Sequence, residues 1–149
     1  MKKSTSLLVL FAFIVVLGGC KKDNATEGSE ILQSKVYQLE AMGGSNVSGT
    51  ATFTEDIEGK TTILLELEGS TTDEHPAFIR YNSASIGGDV AITLKKCTCS
   101  VGETVVSKLD NGEPIDYDGL LRLDGHISIH QSPKNLETIV STANIGVNE

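Results

Sequence analysis

Two stretches, 47–54 and 61–68, alternate apolar and polar side chains with a period of two. This is the period of a β-strand, in which successive residues face opposite sides of a sheet. One side of each strand is therefore expected to pack on a core, while threonines and glutamates cover the other. The polar segment 55–60 between them predicts a turn and a hairpin. This pattern constrains the fold most, because it excludes a helix over both stretches.

The rest of the chain continues in the same way, with short apolar stretches separated by turn signals. Residues 69–74 and 96–103 indicate loops, and one helical turn is expected within 115–123. Short strands and 15 glycines predict an all-β fold, an antiparallel two-sheet sandwich. Further strands are expected at 77–82, 89–95, 104–109, 127–129 and 137–144. The residues predicted to face the core are Phe53, Ile63, Leu65, Leu67, Ile92 and Leu94.

The N-terminus has the pattern of a secretory signal peptide. A basic start precedes an apolar run at 7–17, whose 11 residues fall short of the roughly 20 that a membrane-spanning helix needs. The run ends in Leu-Gly-Gly-Cys at residues 17–20, which resembles the lipobox of bacterial lipoproteins. This resemblance implies a lipoprotein signal peptide at 1–19 and lipidation of Cys20, which becomes the new N-terminus. Several acyl chains hold a protein firmly at a membrane.

The segment 20–30 is polar and predicts a lipidated cysteine followed by a flexible tether, which leaves 31–149 as the folded domain. Its first residues, 20–23, resemble sorting signals of surface-exposed lipoproteins in some Gram-negative bacteria. That resemblance implies a place in the cell envelope, at the outer membrane, on its periplasmic or surface face. The chain has a net charge of −8, which repels phosphate backbones and excludes nucleic acid as a partner. We expect the lipid anchor to provide the contact with the membrane.

Most of the domain, 35–146, resembles the CHRD (chordin-type) domain of exported bacterial proteins. The family's role is poorly defined, and the resemblance implies an immunoglobulin-like β-sandwich. The matching blocks, in chain order, are 75–82, 87–94, 115–121, 124–130 and the closing segments 138–140 and 144–146.

One departure from the family bears on function. The family's His-Ile-His is Phe78-Ile79-Arg80 here. Two histidines at this spacing share one face of a strand and suit a transition metal, whereas phenylalanine cannot ligate and arginine is a permanent cation. We therefore expect no metal or other cofactor. The candidate ligand pocket consists of His75, Phe78, Arg80 and His130, in which Arg80 either binds an anion or pairs with a surface acid such as Asp89.

A metal-binding or redox protein that uses His75, His126 and His130 is the alternative. His126 and His130 face one side of a strand, but four residues place their Cα atoms about 13 Å apart, too far to share one ion unaided. Cys97 and Cys99 would add thiolates, or they form a local disulfide, or they remain free. On a regular strand their Cα atoms would lie about 6.5 Å apart, near the upper limit for a disulfide.

The chain lacks the sequence patterns of common enzymes. It has no Gly-x-Ser-x-Gly elbow, no phosphate-binding glycine loop and no His-Glu-x-x-His. We therefore expect a non-enzymatic, lipid-anchored module of the cell envelope that binds an envelope or extracellular protein or a small ligand.

The lipid anchor is directly testable. Intact-mass analysis of the native protein should show an acylated N-terminus at Cys20, and Cys20→Ser should leave unlipidated or unprocessed protein. A native N-terminus at any other residue would contradict the lipoprotein interpretation.

Overall fold

A computed structural model describes residues 30–149, so the predicted signal peptide, Cys20 and nearly all of the tether lie outside the described residues. Residues 30–149 form ten strands and one short helix. No helix within this range is long and apolar enough to cross a membrane. In chain order the elements are β1 (Ile31–Ala41), β2 (Ser48–Asp56), β3 (Thr61–Glu68), β4 (Glu74–His75), β5 (Ala77–Tyr81), β6 (Val90–Thr93), β7 (Cys97–Thr98), β8 (Val101–Val106), α1 (Tyr117–Leu121), β9 (Asp124–Ser132) and β10 (Asn135–Gly146).

All ten strands belong to one curled antiparallel sheet, in the order β4-β7-β8-β3-β2-β1-β10-β9-β5-β6. The all-β antiparallel prediction is confirmed. Two separate sheets are not confirmed, because β1 pairs with β2 over 31–39 and with β10 at Glu40 and Ala41, which makes the strand order continuous.

Curling brings the apolar faces of the two ends of the sheet into one core. Phe53, Ile63 and Leu65 come from β2 and β3, while Ile79 and Ile127 come from β5 and β9, and all five are at most 1% exposed. Burying one such side chain stabilises the fold by about 1.5–3 kcal/mol. The prediction that six named residues face the core is confirmed, since Phe53, Ile63, Leu65, Leu67, Ile92 and Leu94 are all buried.

The expected loop at 96–103 is wrong in part. It contains β7, a two-residue turn and the start of β8, and Thr98 pairs with Val101 across the turn. Cys99 and Ser100 both have positive φ, as a type I′ hairpin turn requires. Cysteine and serine are not typical of this turn, so the pattern conceals the hairpin. The expected helical turn is confirmed by α1, whose N-cap Asp116 accepts a hydrogen bond from the Gly119 N–H.

Adjacent leucines on β3 provide a matched test of this core. Leu65→Ala should lower the free energy of unfolding by about 2–5 kcal/mol, because it leaves a cavity. Leu64 points to the other side of the strand and is half-buried, so Leu64→Ala should cost about 1 kcal/mol. Urea unfolding measures the free energy of both variants. Equal losses of unfolding free energy would contradict the assignment of Leu65 to the core side of β3 and of Leu64 to the other side.

Candidate functional site

The outer faces of β5 and β9 bring five polar or aromatic side chains together. Arg80 lies opposite His126, and Phe78 lies opposite Ser128. His130 follows on the same side of β9, while the intervening isoleucines of both strands face the core. We call Phe78, Arg80, His126, Ser128 and His130 the outer cluster. Three of the four residues predicted to form a ligand pocket, Phe78, Arg80 and His130, belong to it.

A chain of hydrogen bonds runs through the outer cluster. Arg80 Nε donates to Ser128 Oγ at 3.2 Å. Ser128 Oγ lies 3.1 Å from His130 Nε2, and His130 Nδ1 lies 2.6 Å from the Leu136 carbonyl oxygen. Because a carbonyl can only accept, Nδ1 carries the proton, and in the neutral ring Nε2 accepts from the serine. Burial lowers the pKa of His130, the hydrogen bond to Leu136 raises it and the charge of Arg80 lowers it further, so the net shift favours the neutral ring.

Arg80 has no acidic partner in the part of the chain that the structure describes. None of the carboxylates of residues 30–149 lies within 4.0 Å of its guanidinium, so the predicted pairing with an acid such as Asp89 is not formed. Instead Nη1 donates to the Gly88 carbonyl at 3.1 Å, and the guanidinium lies over the Phe78 ring at 5.5 Å. Phe78 in turn packs edge-on against His130, with centroids 5.2 Å apart. The aromatic ring and two acceptors thus hold a partly exposed cation in place.

The loop 82–88 covers part of the outer cluster. His126 Nδ1 donates to the Asn82 carbonyl at 2.8 Å, and the Ala84 N–H donates to Asn144 Oδ1 at 2.8 Å. With the bond from Arg80 to Gly88, three side chains of the outer face bind this loop at its start, middle and end. The role of Asn144 was missed from the sequence, because 60 residues separate it from Ala84.

His75 lies on the other side of the strand from Phe78 and Arg80. The alternation of burial over 74–81 places it with Ala77 and Ile79. Its Nδ1 donates to the His130 carbonyl at 2.8 Å, and its Nε2 contacts the hydroxyls of Ser70 and Thr72. The structure therefore brings His75 to the backbone of His130 and not into the outer cluster.

The position of Pro76 explains that bond. The His130 N–H donates to the Pro76 carbonyl at 2.8 Å, as in an antiparallel pair. Such a pair exchanges two hydrogen bonds, but proline has no N–H to return. His75 Nδ1 supplies the missing donor to the His130 carbonyl. At Pro76 the chain also changes its strand-pairing partner, because β4, before it, pairs with β7 and β5, after it, pairs with β9.

The two cysteines of the domain are free thiols, so the disulfide left open by the sequence is not formed. Cys97 is buried in the core, and burial raises the pKa of its thiol to about 11. Cys99 is exposed on the turn that follows β7. The turn separates the two side chains into different environments.

The three histidines do not form a shared metal site in the described chain. His75 faces away from the other two, and Nδ1 of each ring is bonded to a backbone carbonyl. Within residues 30–149 no group of three or more histidine, cysteine or acidic side chains could hold a metal ion.

No protein-family model matches this chain, and no curated protein matches it either. The resemblances to CHRD domains and to bacterial lipoproteins therefore stay predictions.

A double-mutant cycle tests the bond between His75 and His130. His75→Ala leaves the His130 carbonyl without a donor, which should cost about 1–3 kcal/mol of unfolding free energy. Adding Pro76→Ala restores a backbone N–H opposite this carbonyl, so the double variant should recover about 1 kcal/mol relative to the sum of the single effects. Urea unfolding of the four proteins gives the coupling energy. Strict additivity would contradict this role of His75.

Proposed function

We propose that this protein is a non-enzymatic, lipid-anchored binding module of the bacterial cell envelope, and that its outer cluster binds an anionic group. The lipobox-like segment that ends at Cys20 supports the anchor, and the polar tether at 21–30 provides reach from the membrane. The ligand is the carboxylate, sulfate or phosphate group of a small molecule or of an envelope or extracellular protein.

The observation that carries this proposal is the unpaired guanidinium of Arg80. The chain has 20 acidic residues and a net charge of −8. Of its two arginines, Arg122 lies 4.0 Å from Asp118, whereas Arg80 has no carboxylate within 4.0 Å among residues 30–149. Of its five N–H groups, two are used by Ser128 and Gly88, and three have no partner in the described chain. A planar guanidinium with free N–H groups matches the geometry of a carboxylate or a tetrahedral oxyanion.

Burial of the serine supports a binding role over a catalytic one. Ser128 Oγ and His130 Nε2 are within the distance of a nucleophile and its base. However, Ser128 is 0% exposed and its hydroxyl accepts from Arg80 Nε. A substrate carbon has no access to that oxygen without displacing the arginine.

The curled sheet supports the finer fold that we propose, an immunoglobulin-like sandwich of the CHRD type. Its two ends face each other across one core and are joined where β1 pairs with both β2 and β10. If the sheet is divided where β1 meets β10, each part is an antiparallel sheet. This is the arrangement of a sandwich in which the two sheets share an edge strand.

Anion titrations of the full chain in detergent micelles test the site, with acetate and sulfate as probes. We expect saturable shifts of the Gly88 and Ser128 amide NMR signals, which the wild type and every Arg80 variant retain. Arg80→Gln should weaken binding by at least about tenfold, which corresponds to about 1.4 kcal/mol. Arg80→Lys keeps the charge but loses the planar fork, so it should give an intermediate affinity.

Arg122→Gln is the matched control, because Arg122 is an exposed arginine 4.0 Å from Asp118. It should leave anion binding unchanged. Equal affinities of the wild type and Arg80→Gln, or equal losses in both glutamine variants, would contradict the proposed site.

A further inference from the structure

The junction of β1 and β10 opens into a fork. The two strands pair at Glu40 with Thr142 and at Ala41 with Ser141, and then separate. Before Glu40, β1 pairs with β2 alone, and after Thr142, β10 pairs with β9 alone. Each strand therefore has an edge that faces the fork without a strand partner among residues 30–149.

Tyr37 occupies the inner side of this fork. If pairing continued in the same register, Tyr37 would lie opposite Ile145. Instead its hydroxyl accepts a hydrogen bond from the Gly146 N–H at 3.4 Å. Its ring packs edge-on against Phe53, with centroids 5.1 Å apart. A side chain thus takes the place of a backbone bond between the two strands. Because the ring is anchored in the core, the fork is a fixed part of the fold.

The fork forms a solvent-open cleft of about 570 Å³, within the range of ligand sites. The loop 82–88 borders it through Ala84 and Ser85. Val36 and Met42 are 47% and 43% exposed, so the cleft offers apolar contacts beside the backbone edge. Side chains that line the cleft include Val36, Gln38, Glu40, Met42, Asn144 and Glu149.

The charged side chains that line the cleft among the described residues are acidic. Glu40 and Glu149 contribute carboxylates, and none of the residues between 30 and 149 that line it is a lysine or an arginine. Lys35, which pairs with Glu149 at 2.7 Å, is the nearby cation that offsets part of this charge. A ligand with positive charge is therefore favoured over a neutral or acidic one.

We infer that this cleft binds an extended, positively charged peptide segment of a partner protein, which adds as a strand alongside β1. Unpaired strand edges are the sites at which proteins accept an additional strand. The backbone edge of β1 supplies hydrogen bonds, Val36 and Met42 supply apolar contacts, and Glu40 selects for lysine or arginine. This site is separate from the outer cluster, and its ligand has the opposite charge.

The test uses the synthetic peptide acetyl-Lys-Val-Thr-Val-Lys-Val-Thr-amide and the full chain in detergent micelles. Saturable binding should shift the amide NMR signals of residues 32–38. A peptide with alternate backbone nitrogens methylated keeps its side chains but loses its donors, so it should bind at least about tenfold more weakly. Replacing its two lysines with glutamate should weaken binding by a similar factor.

Glu40→Lys is expected to weaken binding of the lysine peptide by about tenfold, a change of about 1.4 kcal/mol. Glu66→Lys is the matched control, because Glu66 is an exposed glutamate on β3, away from the cleft. It should leave the affinity unchanged. No saturable binding, equal affinity for the methylated peptide, or a dimer of the chain that buries this cleft would overturn the inference.

Discussion

The architecture depends on backbone hydrogen bonds at the places where a chain segment changes its pairing partner. β1 makes the change between Leu39 and Glu40, and the β4–β5 segment makes it at Pro76. These two crossings let a single sheet curl around one apolar core. Each also requires a side chain to satisfy backbone groups that regular pairing would have satisfied. His75 does so for the His130 carbonyl, and Tyr37 does so for the Gly146 N–H.

Both proposed binding sites follow from these crossings. At Pro76 the chain passes from β4, which pairs with β7, to β5, which pairs with β6 and β9, and the outer cluster lies just beyond this point on β5 and β9. At Glu40 the strands diverge and leave the cleft between β1 and β10. One site presents a fixed cation and the other presents carboxylates, so the same small domain has two surfaces with opposite electrostatic preference.

The strands were predictable wherever side chains alternate over six or more residues, as at 47–54 and 61–68, because one buried face is a local property of the sequence. The hairpin at Cys99 and Ser100 was not, because its turn lacks the usual Asn-Gly or Gly-Gly. The grouping of Phe78, Arg80 and His130 could be predicted from a family resemblance. The facing of His75 was also predictable, because period-two alternation places it with Ala77 and Ile79, on the opposite side from Phe78 and Arg80. Its bond to the His130 carbonyl was not, since that bond replaces the missing donor of Pro76. Likewise, no local pattern shows that Arg80 lacks an acidic neighbour, because its surroundings come from β9 and from the loop at Gly88.

We propose that the Arg80 guanidinium is positioned to bind an external anion. Anomalous diffraction from a crystal grown with selenate tests this most directly, because selenium can be located without prior phases. Our account predicts a selenate within hydrogen-bond distance of Arg80 Nη1 or Nη2, in a molecule whose outer cluster is free of lattice contacts, with Ser128 and Gly88 still bonded to the guanidinium. An Arg80 that is instead paired with a carboxylate of its own chain, with no selenate bound there, would contradict it.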